Sequence, residues 1–423
     1  MEDYTNFMLE RTIKAVVEDV SKDYPVILLT GMRQIGKTTL LTQMSSTRNY
    51  ISLDDWSVRE MATNDPKLFL QTYKPPIIID EVQYAPQLFT YIKIWIDEHN
   101  IEYMKGNKDA NPDGAFWLTG SQKFGLIKGI QESLAGRVCI IDMLGLSYKE
   151  IIKEPFNSQK FIPSRDMITK ESKLKKLDIF EVYKIIFNGS FPKLITKESD
   201  KRERFYKSYL QTYIERDVMQ DLNIKNNELK FYNFIRAVAV RTGNLLNYTD
   251  IAKDVEIDVK TAKIWLNTLE KSGIIKLLEP YYINITKRIT KTPKVYFLDT
   301  GLCSYLAGIH TPEALENSYL NGRILETYVF CEILKSYWHN GEEPNIYFYR
   351  DNEQREVDFL IERDLVLYPI EVKKTASPKS DDAKNFKFVE KLNKEVGVGA
   401  VICLCDRVMP IGEKNISVPV WEI

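Results

Sequence analysis

An excess of charge of either sign is missing from this chain. Its 423 residues carry 58 Lys and Arg against 59 Asp and Glu, so no global field draws it to nucleic acid and any such contact must come from a local patch. Histidine is scarce, at 3 residues, and the 5 cysteines (Cys139, Cys303, Cys331, Cys403 and Cys405) offer only Cys403-Leu404-Cys405 as a close pair, without CxxC spacing. That usage argues against zinc sites and disulfide frameworks and for buried, reduced thiols. No apolar run approaches the length of a membrane span, and the start, MEDYTN, has no basic region followed by an apolar core. A soluble, cytoplasmic protein with no membrane partner is expected. The length suits about two to four domains, each able to bury its own core.

What is present begins with short apolar runs that alternate with helical patterns. These predict an α/β domain with a parallel sheet covered on both faces, its strands at Val26–Leu29, Ile77–Ile79, Phe116–Leu118 and Val138–Met143. The first strand runs into Gly31 to Thr38, which reads GMRQIGKT and matches G-x-x-x-x-G-K-[ST] between a strand and a helix. Glycines there let backbone N–H groups converge on phosphate oxygens, and the following helix start adds a favourable field. Lys37 would reach the β- and γ-phosphates, and Thr38 would ligate magnesium. Gly31, Arg33, Gln34, Ile35, Gly36, Lys37, Thr38 and Thr39 are the expected contacts to ATP. A second motif, Pro76 to Glu81 (PIIIDE), delivers an acidic pair at a strand end. Asp80 would hold the metal, and Glu81 would polarise the attacking water. The next strand ends with hydroxyls near the γ-phosphate position, at Thr119 or Ser121.

This order of parts over about residues 10 to 220 resembles the AAA+ ATPase superfamily. The resemblance implies that Arg137, at the end of the helix before the last core strand, acts as an arginine finger on the neighbouring subunit's ATP. A ring or helical homo-oligomer follows, with a hexamer favoured; the other reading of Arg137 is a helix-terminating residue at the Gly136 turn, solvated or paired locally. Residues 147–225 would form a helical lid, with Arg216 in the run Tyr213 to Asp217 as a sensor or as part of a solvated helix face. The loop Gly189 to Pro192 has no role readable from its residues.

Residues 226–300 read as a winged-helix module. Thr249 or Asp250 caps one short helix; Asp258 opens a second, with Ala262, Leu266 and Leu269 on its apolar side, and Gly273 stops it before a strand. Lys260, Lys263 and Asn267 would face outward. Thr286 to Lys294 (TKRITKTPK) adds Lys287, Arg288, Lys291 and Lys294 with no acid, which suits a wing against DNA phosphates. Packing between subunits is the competing use.

Residues 301–423 hold a second chemistry. A helix carrying Glu326 precedes three strands, the second with Asp358 and the third with Glu371-Val372-Lys373, where alternation puts Glu371 and Lys373 on one face. Asp358 and Glu371 would bind magnesium, Glu326 would complete its shell, and Lys373 would help activate water and stabilise the developing charge. The ordered set resembles the PD-(D/E)xK nuclease superfamily, which implies a restriction-endonuclease-like α/β domain. The whole chain resembles bacterial and archaeal ATPases that join an AAA-type core (residues 1–146 here) to a C-terminal domain of unknown function. Two functions remain open at this point. One is an oligomeric ATPase that binds DNA, including branched DNA, and cuts it; the other is a nucleotide-dependent switch or scaffold without nuclease activity.

Overall fold

The computed structural model of the chain describes residues 9–120, 130, 133–154, 158–170, 172–195, 201–212, 228–284 and 291–423. It divides into two compact units, the first holding the chain through Ser158 together with Lys271–Gly273 and Trp338–Gly341, and the second holding the remainder. The expectations at Ser121, at Tyr213 to Asp217 with Arg216, and at Lys287 and Arg288 lie outside the described residues.

In the first unit five strands run parallel: β1 (Val26–Thr30), β2 (Asn49–Ser52), β3 (Ile77–Asp80), β4 (Phe116–Gly120) and β5 (Val138–Asp142), in the order β2-β3-β4-β1-β5. Strands β1, β3 and β4 are buried at every residue, which is why each is apolar until its C-terminal end, where Thr30, Asp80 and Thr119 stand. Leu28, Ile79 and Leu118 share one core with Phe89, Ile92 and Ile96 of the helix Leu88–Met104. Side-chain caps define the helix starts between strands. Asp55 accepts the Ser57 and Val58 N–H groups ahead of Trp56–Asn64, and Asp65 accepts that of Leu68 ahead of Pro66–Thr72, where Pro66 takes the first helical position. The strand order brings the C-terminal ends of β1, β3 and β4 side by side, the place where open parallel sheets do their chemistry.

The stretch expected as a lid divides between the units, because residues from Gln159 onward belong to the second. There the helix Ile179–Asn188 packs on Thr300–Leu306 and Pro312–Glu316. A buried carboxylate fixes this arrangement. Asp299, 2% exposed, accepts the Ser190 N–H at 2.7 Å, the Ser190 hydroxyl at 2.8 Å, the Tyr206 hydroxyl at 2.9 Å and the Leu302 N–H at 2.7 Å. Gly189 turns there with φ +75°, and a Cβ on it would lie 2.7 Å from both Asp299 oxygens. The Gly189–Pro192 loop is thus one half of a latch.

The helices Glu228–Ala239, Tyr248–Val255 and Val259–Lys271 follow, then the antiparallel pair β6 (Ile275–Leu278) and β7 (Lys294–Phe297). The helix Asn321–Trp338 is buried without a break from Thr327 to Tyr337, so it is enclosed on all sides. Against it in sequence stand β8 (Ile346–Arg350), β9 (Glu356–Arg363), β10 (Val366–Val372), β11 (Glu395–Val396), β12 (Gly399–Cys403), β13 (Met409–Pro410) and β14 (Asn415–Pro419). They form one sheet in the order β13-β14-β12-β10-β9-β8, with β11 also on β10. Strands β8, β9 and β10 pair antiparallel, whereas β10, β12 and β14 pair parallel.

Candidate functional site

The turn after β1 is shaped for close approach. Gly31 has φ +143°, and a Cβ there would meet the Met143 carbonyl oxygen at 2.2 Å, so no larger residue fits. Gln34 and Gly36 are also left-handed, and Gly36 caps the helix Lys37–Met44. Lys37 is 7% exposed and its ammonium donates to the carbonyls of Gly31 (2.9 Å) and Met32 (2.8 Å). Burial pulls its pKa down to about 8, against the charges of Glu81 and Asp80. Ile35 is buried and offers only its backbone, whereas Gln34 and Thr39 are exposed and Arg33 is half-buried beside Lys37.

Thr38, Asp80 and Thr119 come together as one junction. The Thr38 hydroxyl donates to Asp80 Oδ1 at 2.9 Å, the Thr119 hydroxyl donates to the same oxygen, and the Glu81 N–H reaches Thr119 Oγ1 at 3.4 Å. Hydroxyl and carboxylate in contact at a strand end are the pair that shares a magnesium ion in P-loop chemistry, so these residues fit that metal. Glu81 itself is left-handed at φ 55° and accepts from the Gln83 amide. A strained non-glycine residue beside a reactive position is where folds concentrate function. Tyr50, absent from the sequence expectations, donates to Asp80 Oδ2 at 2.8 Å from the edge strand β2. Arg137 binds Asp97 of its own chain, Nε at 3.0 Å and Nη2 at 2.6 Å from Oδ1, while Lys93 holds Oδ2 at 2.9 Å.

In the second unit the expected carboxylates also meet, but around lysines. Lys294 requires correction as a DNA contact. It is 2% exposed, and its ammonium lies 3.1 Å from Glu326 and 2.6 Å from Glu356, so it presents no open face to a phosphate. Burial opposes its charge, yet Glu326, Asp358 and Glu356 overcome this and raise its pKa. Glu326, expected to complete the metal shell, has its Oε1 accepting from Lys294 and from the Tyr296 hydroxyl. Among the described residues no group of three or more His, Cys, Asp or Glu could hold a metal ion.

Asp358 and Glu371 keep the better claim. Asp358 Oδ2 accepts the Val372 N–H at 2.8 Å, and Glu371 Oε1 accepts Lys373 Nζ at 2.7 Å. Glu371 Oε2 is buried with no hydrogen-bond partner. Burial, then the charge of Asp358, pushes the Glu371 pKa up to about 8; burial also pushes Glu326 up to about 7, despite Lys294, and raises Asp358. A buried, unsatisfied carboxylate oxygen beside a second carboxylate fits a magnesium ion held by two protein ligands and completed by water or phosphate.

Lys260, Lys263 and Asn267 are exposed along one side of Val259–Lys271, and Lys291 is exposed before β7. Lys263 Nζ sits 5.4 Å over the Tyr248 ring. No helix among the described residues is long and apolar enough to cross a membrane.

Comparison with known proteins gives three family matches. Residues 23–152 match an AAA domain, while residues 179–313 and 321–423 match two separate domains of unknown function. The parallel-sheet unit thus contains an AAA-type P-loop ATPase domain. An uncharacterized protein of Mycobacterium tuberculosis is 25% identical over 401 residues, covering 94% of this chain and 81% of its own. One from Methanocaldococcus jannaschii is 28% identical over 371 residues, covering 84% and 77%. Among solved structures, a Walker-type ATPase of Pyrococcus abyssi matches at a TM-score of 0.42 and 14% identity, over 70% of this chain and 94% of that one.

Proposed function

We propose, from the AAA-type ATPase domain at residues 23–152, that this chain hydrolyses ATP as a ring or helical homo-oligomer, hexameric by preference, and binds and cuts DNA, branched DNA included. The Thr38–Asp80–Thr119 junction carries the ATPase part. Lys37 would leave the carbonyls of Gly31 and Met32 for the β- and γ-phosphates, Thr38 and Asp80 would hold magnesium, and Thr119 would keep Asp80 and Glu81 in register. Glu81 would orient the attacking water, and Arg137 would release Asp97 to reach a neighbour's nucleotide. Magnesium, when bound, would neutralise charge on the phosphates.

The order of three helices and a two-stranded antiparallel pair, Glu228 to Phe297, supports a winged-helix reading. Lys260, Lys263, Asn267 and Lys291 are its candidates for phosphate and base contact. The unsatisfied Glu371 Oε2 beside Asp358 supports the nuclease-like reading, in which Lys373 would orient the water and hold charge on the scissile phosphate. Magnesium at that site would act as a Lewis acid. One observation favours a second function, a nucleotide-dependent switch without nucleolysis: Lys294 already supplies Glu326 and Glu356 with a cation.

Incubation of the purified protein with linear, flapped and four-way DNA in magnesium separates the two. Cleavage that Lys373→Ala abolishes supports the nuclease; DNA binding without cleavage on every substrate supports the switch. ATP turnover lost in Lys37→Ala supports the ATPase under either.

A further inference from the structure

The phosphate loop is braced from behind by a buried arginine. Arg11 is 8% exposed, and every nitrogen of its guanidinium has an acceptor. Nε meets Glu150 Oε1 at 3.1 Å, Nη1 meets the Ile35 carbonyl at 3.0 Å, and Nη2 meets the carbonyls of Leu144 at 2.8 Å and Gly145 at 3.4 Å. Ile35 lies inside the phosphate loop, and Leu144 and Gly145 follow β5. The same post-β5 segment presents the Met143 carbonyl to Gly31. One planar cation therefore ties the loop to the segment that lines its back.

Peptide geometry gives this contact its consequence. In a trans peptide unit the C=O of Ile35 and the N–H of Gly36 point in opposite directions. A guanidinium fixed on that carbonyl turns the Gly36 N–H away from Arg11, to the open side of the loop where backbone donors must gather for phosphate. Without the brace the peptide can flip, and the loop then offers phosphate an acceptor in place of a donor.

Glu150 keeps the brace in place. It is fully buried and also accepts the N–H groups of Thr12 (2.8 Å) and Ser147 (2.9 Å), while His339 Nδ1 stands 3.5 Å from its other oxygen. Burial would raise its pKa, but Arg11, His339 and those N–H groups hold it down to about 2. The carboxylate is charged throughout the working range, so Arg11 always has its counter-ion.

We infer that Arg11 is a positioning residue for nucleotide binding: it touches no phosphate itself but fixes the Ile35–Gly36 peptide that does. The inference rests on the ATP-site reading and deepens it.

Affinity for a fluorescent ATP analogue, measured beside the melting temperature of the free protein, tests it in the full-length chain. Arg11→Gln is expected to weaken binding by about tenfold or more in folded protein, a loss of about 1.4 kcal/mol, and Arg11→Lys, which keeps the charge and one donor direction, by less. Arg202→Gln removes a comparably buried arginine from the second unit and is expected to lower the melting temperature with affinity unchanged. Arg11 variants that melt lower yet bind as wild type would overturn the inference and make Arg11 a structural residue only. If Arg11→Gln does not fold, Arg11→Lys and Glu150→Gln carry the same readout, and wild-type affinity in both overturns it. Wild-type protein that binds no nucleotide sinks the ATP-site reading instead, a result distinct from either.

Discussion

Replacing Glu371 by Gln probes the second site through its own electrostatics. The wild-type carboxylate is 6% exposed, has one oxygen on Lys373 and one without a hydrogen-bond partner, and is displaced from 4.5 to about 8 by burial and Asp358. A carboxyl whose pKa is higher folded than unfolded gives stability that is complete below about pH 4.5 and is lost as pH rises through about 8. At about 1.4 kcal/mol for each tenfold change in proton affinity, the displacement bounds the effect at about 5 kcal/mol. In EDTA the wild type should therefore melt lower at about pH 9 than at about pH 6, and Glu371→Gln, which has no proton to lose, should show a clearly shallower dependence. Magnesium should restore the wild type at the higher pH and leave the variant where it was. Scanning fluorimetry across that range reads both effects. Equal pH slopes in the two proteins, or an equal magnesium shift in both, would refute the reasoning and make Glu371 a carboxylate satisfied by Lys373 alone.

Four other perturbations follow from named residues. Arg137→Ala should block ATP turnover while sparing nucleotide binding, and a turnover per subunit that does not change on dilution would count against a role in trans. Asp299→Ala takes the acceptor from the Ser190 N–H and hydroxyl and the Leu302 N–H, while the Tyr206 hydroxyl keeps the Asn188 carbonyl at 3.1 Å; at about 1 kcal/mol or more for each orphaned donor, urea unfolding should show a loss of about 3 kcal/mol, and a loss under about 1 kcal/mol would contradict the latch. Lys260→Glu combined with Lys263→Glu should weaken DNA binding across sequences and flatten its salt dependence, whereas Lys294→Gln should act on melting temperature, because that side chain is buried.

What could be read from sequence follows burial. Strands β1, β3 and β4 are enclosed on both faces, so each had to be an apolar run, and the phosphate-loop spacing is dictated by the ligand it fits. Strand β2 lies at the sheet edge with two exposed residues. It carries no such run, and Tyr50 on it was hidden with it. The basic run before β7 illustrates the converse. Lys291 is exposed as its surroundings in sequence suggest, while Lys294 opens a strand buried at all four residues, and its fate depends on Glu326 and Glu356 arriving from distant helix and strand. Charge density along a chain reports what is nearby in sequence; whether a lysine meets water or a carboxylate is decided by tertiary partners.

The make-up of the first unit from three separate stretches bears on how the protein can be cut. A gene trimmed after Ser158 would encode the whole parallel sheet and still omit Lys271–Gly273 and Trp338–Gly341, among them the His339 that faces Glu150. The complementary piece would keep those two stretches and lose the unit they belong to. A cut after Ser158 therefore keeps the whole segment that matches the AAA domain but parts Glu150 from the His339 that faces it.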